Sequence, residues 1–170
     1  MILSVRLIGG NIVRRSDREV KDFDEIIKIV EKCDVCRLAF SDEEYPYIVP
    51  LNFGHQAEDG KLVLYFHGAN EGKKYDLIEK NNRAGFEMDC SHRLIASLDS
   101  CSCTMEYESV IGNGLIQFVP EEEKYDALCI LMKHYHHEGF PFNEAVIPKT
   151  KVFKLTVDSM SAKRRMKRKD

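Results

Sequence analysis

The strongest constraint on the fold lies between residues 36 and 67, where three β-textured runs, 36–40, 45–53 and 62–67, follow one another with only short connections. Parallel neighbours need a crossover of a dozen or more residues, so consecutive strands this close together predict an antiparallel meander. The second and third runs are joined across Glu58, Asp59 and Gly60, a sequence that favours a tight hairpin turn. Further β texture follows at 84–90, 106–118 and 152–157, with Gly112 and Gly114 suggesting a bulge or a close backbone approach.

Three helices flank this pattern. Phe23, Ile26, Ile27 and Val30 form an i, i+3, i+4, i+7 stripe, with Asp22 and Glu25 spaced as a capping box. Residues 73–81 predict a short helix with Leu77 and Ile78 inward. Pro120 and the acidic residues after it open a helix through about His136, with Tyr125, Leu128, Cys129 and Met132 on one side. The polar stretch 91–104, rich in Ser and Asp, has no clear period and is expected to be a long, mobile loop. The expected architecture is a single domain, mainly β with flanking α-helices: an antiparallel barrel with the helices outside it.

At 170 residues, 44% hydrophobic, the chain has core enough for one domain. A fold of this size hides roughly 70% of its unfolded surface, so it needs neither disulfide nor structural metal. A formal charge of -3 provides no strong overall attraction to nucleic acid or to an anionic membrane. Residues 1–13 make a poor targeting segment, interrupted by Arg6, Gly9, Gly10 and Asn11, so a cytoplasmic protein with reduced thiols is expected.

The most informative chemistry runs from residue 62 to residue 74, where a strand ending in His67 and Gly68 passes through Gly72 into a helix that starts with Lys73 and Lys74. A helix N-terminus offers free N–H groups and partial positive charge, and two lysines there add full charges suited to a phosphate. The spacing alone equally suits two solvated lysines. His67, ending an apolar strand, reads on its own more readily as a satisfied core or edge residue than as a catalyst.

Cys33 and Cys36 form a C-x-x-C that could be a redox pair or half of a zinc site, the other half coming from Cys101, Cys103 or the His134, His136 and His137 cluster. The simpler expectation is two buried thiols at a helix-to-strand junction, with His134 and His137 solvating a helix end. The run 163–169 carries six basic residues in seven positions and reads as a solvated terminus.

Ile48-Val-Pro-Leu-Asn-Phe-Gly54, Tyr65-Phe-His-Gly-Ala-Asn-Glu-Gly-Lys-Lys74, Asp76-Leu-Ile78, Phe86-Glu-Met-Asp89 and Tyr107-Glu-Ser-Val-Ile-Gly112 together resemble the pyridoxamine-phosphate-oxidase-like flavin proteins, and within them the nitroimidazole resistance branch. The resemblance implies an FMN-binding split β-barrel over residues 14–162, between an N-terminal extension, 1–13, and a basic tail, 163–170. It further implies a homodimer with FMN in clefts shared by the subunits, FAD being possible. On that reading Ile48, Val49, Pro50, Leu51 and Asn52 line the flavin ring, and His67 and Gly68 sit beside it. Lys73 and Lys74 take the phosphate, and Tyr107 and Ser109 add a second wall. His67 is the one catalytic candidate.

The implied activity is reduction of a small nitroaromatic acceptor with electrons from an external donor. Its alternatives are a flavin-holding or electron-transfer module without fixed turnover, and a metal-dependent regulatory domain built on Cys33, Cys36 and the histidines. Vitamin B6 oxidation is not expected. The chain has no Trp, whereas the true oxidase carries a C-terminal substrate block containing tryptophan and arginine.

Overall fold

The computed structural model describes residues 15–97, 102–143 and 145–166. The expected N-terminal extension, Cys101 and the last four residues of the basic tail lie outside them.

Eight strands form one antiparallel sheet: β1 (Glu19–Val20), β2 (Cys36–Phe40), β3 (Tyr47–Leu51), β4 (Phe53–Glu58), β5 (Lys61–Ala69), β6 (Arg83–Ser97), β7 (Ser102–Phe118) and β8 (Thr150–Arg165). The order is β3-β2-β6-β7-β8-β5-β4, with β1 added to the C-terminal half of β8. The two edge strands, β3 and β4, are consecutive in the chain and separated only by Asn52. The sheet therefore curls until its edges meet at one residue without pairing, which is a split barrel.

Strand alternation explains the interior. Cys36, Leu38 and Phe40 on β2, and Leu62, Leu64 and Phe66 on β5, are buried, while the residues between them are more exposed. They pack with Phe53, Met88, Val110, Phe153 and Leu155 into one core. Helix α1 (Phe23–Val30) closes that core with Ile26, Ile29 and Val30, and starts at Asp22, whose carboxylate accepts the Glu25 N–H at 3.0 Å. The expected capping box is only half made, because the Glu25 carboxylate binds Lys28 and Arg164. Helix α2 (Lys73–Lys80) buries Tyr75 as well as Leu77 and Ile78. Helix α3 (Lys124–His134) packs on β4 and β5 through Ala127, Leu128 and Leu131.

Several sequence expectations need correction. The stretch read as one strand over 45–53 is two strands broken at Asn52. The stretch 91–104 is not a long loop, because β6 and β7 extend through it as a hairpin, with a register shift between Cys90 and Arg93. Its polar composition reflects two solvated faces, not irregular backbone: residues 91–94 and 96 are all exposed. The last strand is much longer than 152–157, and Lys163, Arg164 and Arg165 of the basic run belong to it. The Arg164 guanidinium donates to Glu108, which is 1% exposed, and to Glu25, so this arginine is held in the fold. Helix α3 is rotated from its expected face, leaving Tyr125 50% exposed. The irregularity suggested by the two glycines of β7 is present, a register shift between Asn113 and Gly114. No helix among the described residues is long and apolar enough to cross a membrane.

Candidate functional site

Strand β5 delivers His67 and Gly68 to one end of the barrel, opposite Val152 and Lys151 of β8. The chain then turns at Gly72, whose φ of 142° is open essentially only to glycine, and enters α2. Gly68 lies against this helix start: a Cβ there would stand 2.8 Å from the Tyr75 hydroxyl and 3.1 Å from Lys74 Nζ. A missing side chain thus leaves backbone, an ammonium and a phenol converging on one spot.

Two buried polar atoms here have no hydrogen-bond partner: His67 Nδ1 and the Tyr75 hydroxyl. Tyr75 as a whole is 3% exposed. An orphaned buried donor or acceptor costs about 1–3 kcal/mol, so the Tyr75 hydroxyl against Gly68, and His67 Nδ1 on the other face of β5, each point to a partner that a ligand supplies. Burial first, and the Lys74 charge second, hold the His67 pKa below its ordinary 6.5. The imidazole is therefore neutral at pH 7.

The cations divide unequally. Lys73 forms a 2.5 Å ion pair with Asp42 and lies 5.5 Å from the Tyr47 ring centroid. Lys74 has no hydrogen-bonding or ionic partner among the described residues, and its Nζ lies 4.3 Å from the Tyr75 ring centroid. Burial alone lowers its pKa from the ordinary lysine value. Lys151, absent from the sequence reading, places its Nζ 4.5 Å from the Tyr75 ring and 4.4 Å from that of Phe118. A cleft of about 730 Å³ runs along this corner, lined among others by Asp42, Asn70, Gly72, Lys73, Tyr75 and Lys151.

The remaining expected residues lie elsewhere. Ile48 and Pro50 face outward from β3, with Ile48 58% exposed, while Val49 and Leu51 pack against the core. The Asn52 side chain donates to the Tyr135 hydroxyl and the Asp34 carbonyl. Tyr107 and Ser109 sit on the outer face of β7, opposite Arg165 and Lys163 of β8. His67 pairs with Val152 at the other end of the same strand. The eleven residue steps from Val152 to Lys163 span roughly 36 Å of strand path, so one chain does not bring Ser109 to His67.

The histidine and cysteine cluster is structural. His134 does not solvate the helix end: its Nε2 meets the Cys33 carbonyl at 2.7 Å, its Nδ1 meets His55 Nδ1 at 3.2 Å, and its ring stacks on Phe53. A carbonyl accepts, so His134 carries its proton on Nε2 and accepts one from His55 Nδ1–H. Cys33 and Cys36 are buried, as the simpler reading expects, and the Cys33 thiol donates to the Ile29 carbonyl. Burial pushes both thiols well above the ordinary range, which makes them inert. Among the described residues no group of three or more His, Cys, Asp or Glu side chains could hold a metal ion.

Lys151 and Tyr75 escape sequence reasoning for different reasons. Lys151 is 77 residues from Lys74 and comes near it only through β5–β8 pairing. Tyr75 carries a visible hint, a tyrosine in the first turn of a helix entered through glycine, but nothing local reveals that its hydroxyl is unpaired.

An open antiparallel barrel whose edge sets a cationic helix start against a strand end without a side chain defines the class of fold. The model of the pyridoxamine 5'-phosphate oxidase family matches residues 22–164, and the chain belongs to that family. Among solved structures it is similar to a candidate 5-nitroimidazole antibiotic resistance protein from Bacteroides thetaiotaomicron, at 33% identity, 85% coverage of each chain and a TM-score of 0.74. The flavocytochrome Anf3 of Azotobacter vinelandii shares the fold at 17% identity and a TM-score of 0.71, over 90% of this chain and 72% of that one. An FAD-binding protein of Mesorhizobium loti shares it at 21% identity and a TM-score of 0.60, over 88% and 98%. No curated protein matches the chain.

Proposed function

We propose that the protein is an FMN-dependent oxidoreductase that reduces small nitroaromatic compounds with electrons from an external donor. The observation that carries this reading is the convergence on Gly68 of the Tyr75 hydroxyl and Lys74, neither with a hydrogen-bonding or ionic partner among the described residues, next to His67, whose Nδ1 is likewise buried and unpartnered among them. Those residues fit a phosphorylated flavin: cations and the α2 N-terminus suit its phosphate, and the bare Gly68 backbone admits close approach. FAD shares the same chemistry over a longer ligand. The family membership and the 33% identical relative support a flavin and a nitroimidazole-like acceptor.

Bound flavin would supply the electrons, received from the donor and delivered two at a time to the acceptor. The chain contributes binding, orientation and proton placement. Lys74 and the first turn of α2 hold the anionic end. His67, kept neutral by burial, offers one nitrogen that donates and one that accepts, so it can hold a proton near the acceptor without adding charge to a buried site.

The reading includes a homodimer. Tyr107 and Ser109 can wall the site only if a second chain supplies them, since one chain holds them far from His67. Their face of the β6–β7 arm also exposes Leu94, Met105 and Ile111, at 61%, 44% and 50%, an apolar band that a second copy would cover.

The test is to reconstitute the protein with FMN, reduce it anaerobically, and follow flavin absorbance on mixing with a 5-nitroimidazole or with a non-nitro acceptor. Selective reoxidation by the nitro compound, lost in His67→Ala at unchanged FMN content, is the expected result. Equal reoxidation by both acceptors in parent and variant would leave a flavin-holding or electron-transfer module instead.

A further inference from the structure

We propose that in this chain Lys151, and not Lys73, is the second cation that neutralises the ligand's phosphate alongside Lys74, with the Tyr75 hydroxyl as a further donor. This rests on the flavin reading above and assigns its anionic end.

A phosphate monoester carries about -1.5 to -2 charges at pH 7, so it calls for two cations. Lys74 is one, being without a carboxylate partner among the described residues. Lys73 is a poor second, because Asp42 stands 2.5 Å from its ammonium and the pair together brings no net charge. Lys151 is placed differently. It lies directly across from Gly68 in the β5–β8 register, and its only carboxylate contact among the described residues is Glu79 at 3.9 Å. Its ammonium is held over the Tyr75 and Phe118 rings, which limits the entropy lost on binding.

Lys74 and Lys151 thus both lie within 4.5 Å of the same ring centroid, and that ring's own hydroxyl is buried and unpaired beside Gly68. Lys74 from α2 and Lys151 from β8 meet at one phenol ring, whose hydroxyl lies against Gly68, and together they offer an anion two cations drawn from two elements. Five carboxylates line the cleft, Asp42, Glu43, Glu71, Asp76 and Glu79; of these Asp42 pairs closely with Lys73 while Glu79 reaches Lys151 only at 3.9 Å, and that difference selects Lys151 over Lys73.

The experiment measures the Kd of FMN and of riboflavin, which lacks the phosphate, for the parent and for Lys151→Met, Lys151→Arg, Lys73→Met and Lys74→Met. Lys151→Met and Lys74→Met are expected to weaken FMN about tenfold or more while changing riboflavin less than about twofold, and Lys151→Arg to restore most of the loss. Lys73→Met should change FMN less than about threefold. Should Lys151→Met fail to fold, the exposed Glu79→Gln keeps the question open to measurement: freeing Lys151 should tighten FMN about two- to threefold and leave riboflavin unchanged. The proposal is overturned if Lys73→Met loses as much FMN affinity as Lys151→Met, if the two ligands respond alike, or if Glu79→Gln has no effect. A parent that takes up neither flavin overturns the wider reading as well, and so separates the two failures.

Discussion

The two ends of the barrel treat their buried polar groups in opposite ways. At the Asn52 end, where the edge strands meet, every hydroxyl and imidazole that the structure buries has a partner. The Tyr135 hydroxyl accepts from the Phe53 N–H and the Asn52 amide and donates to the Asp34 carbonyl, while His55, His134 and the Cys33 carbonyl form a continuous chain. At the Gly68 end a histidine nitrogen and a tyrosine hydroxyl are buried without a partner among the described residues, and Lys74 meets no counter-charge among them. A satisfied network closes a seam; an unsatisfied one, held in place by packing, is poised for a ligand. Cavity size would have pointed the other way, since the cleft by His55 and His134 measures about 1380 Å³ against 730 Å³ for the cleft along α2 lined by Gly72, Lys73, Tyr75 and Lys151.

The sharpest way to break this contrast is to remove one hydroxyl from each end. Tyr135→Phe deletes a donor and strands the Phe53 N–H, so it should destabilise the protein by about 2 kcal/mol in urea unfolding while leaving FMN affinity within about twofold. Tyr75→Phe should do the reverse. Removing a buried hydroxyl that has no partner should leave ligand-free stability unchanged or raise it by up to about 1 kcal/mol, yet weaken FMN several-fold. A stability loss in Tyr75→Phe as large as that in Tyr135→Phe would erase the distinction.

Acidification gives the smallest expected effect. Burial first, then mutual repulsion for His55, lowers the pKa of His55 and His134 below 6.5, although the Cys33 carbonyl and Glu31 pull the other way on His134. Both imidazoles are thus neutral when folded and bind protons more readily when unfolded. Stability should be fully present above pH 6.5 and decline as the pH falls through the window below it. Thermal melting between pH 7.5 and 5 should show that decline, and His55→Gln, which removes one of the two protonations, should flatten it. An unchanged slope in the variant would mean that other groups carry the pH dependence.

Much of this fold was legible because its signals are local. The Asp59-Gly60 turn, the Asp22 cap and the Gly72 break each follow from backbone preferences of the residues present, and all three occur where expected. Alternation failed along 91–104 because both faces of the β6–β7 arm are wet, and period two is visible only when one face is buried. The break at Asn52 was invisible for the opposite reason, since apolar texture runs straight through it and only the Tyr135 hydroxyl, from a distant helix end, marks it.

The same boundary runs through the candidate site. His67, Gly68, Lys73 and Lys74 lie within eight consecutive residues, so their co-location at a strand-to-helix turn was determined by the sequence alone. Which of those lysines is already neutralised, and which distant residue joins them, was decided by tertiary structure: Asp42 reaches Lys73, and β5–β8 pairing carries Lys151 to Gly68. Local propensities specify turns and helix starts because they act over a few bonds. Charge pairing and burial of a hydroxyl depend on groups brought together only by folding, and that is where the two lysines part ways.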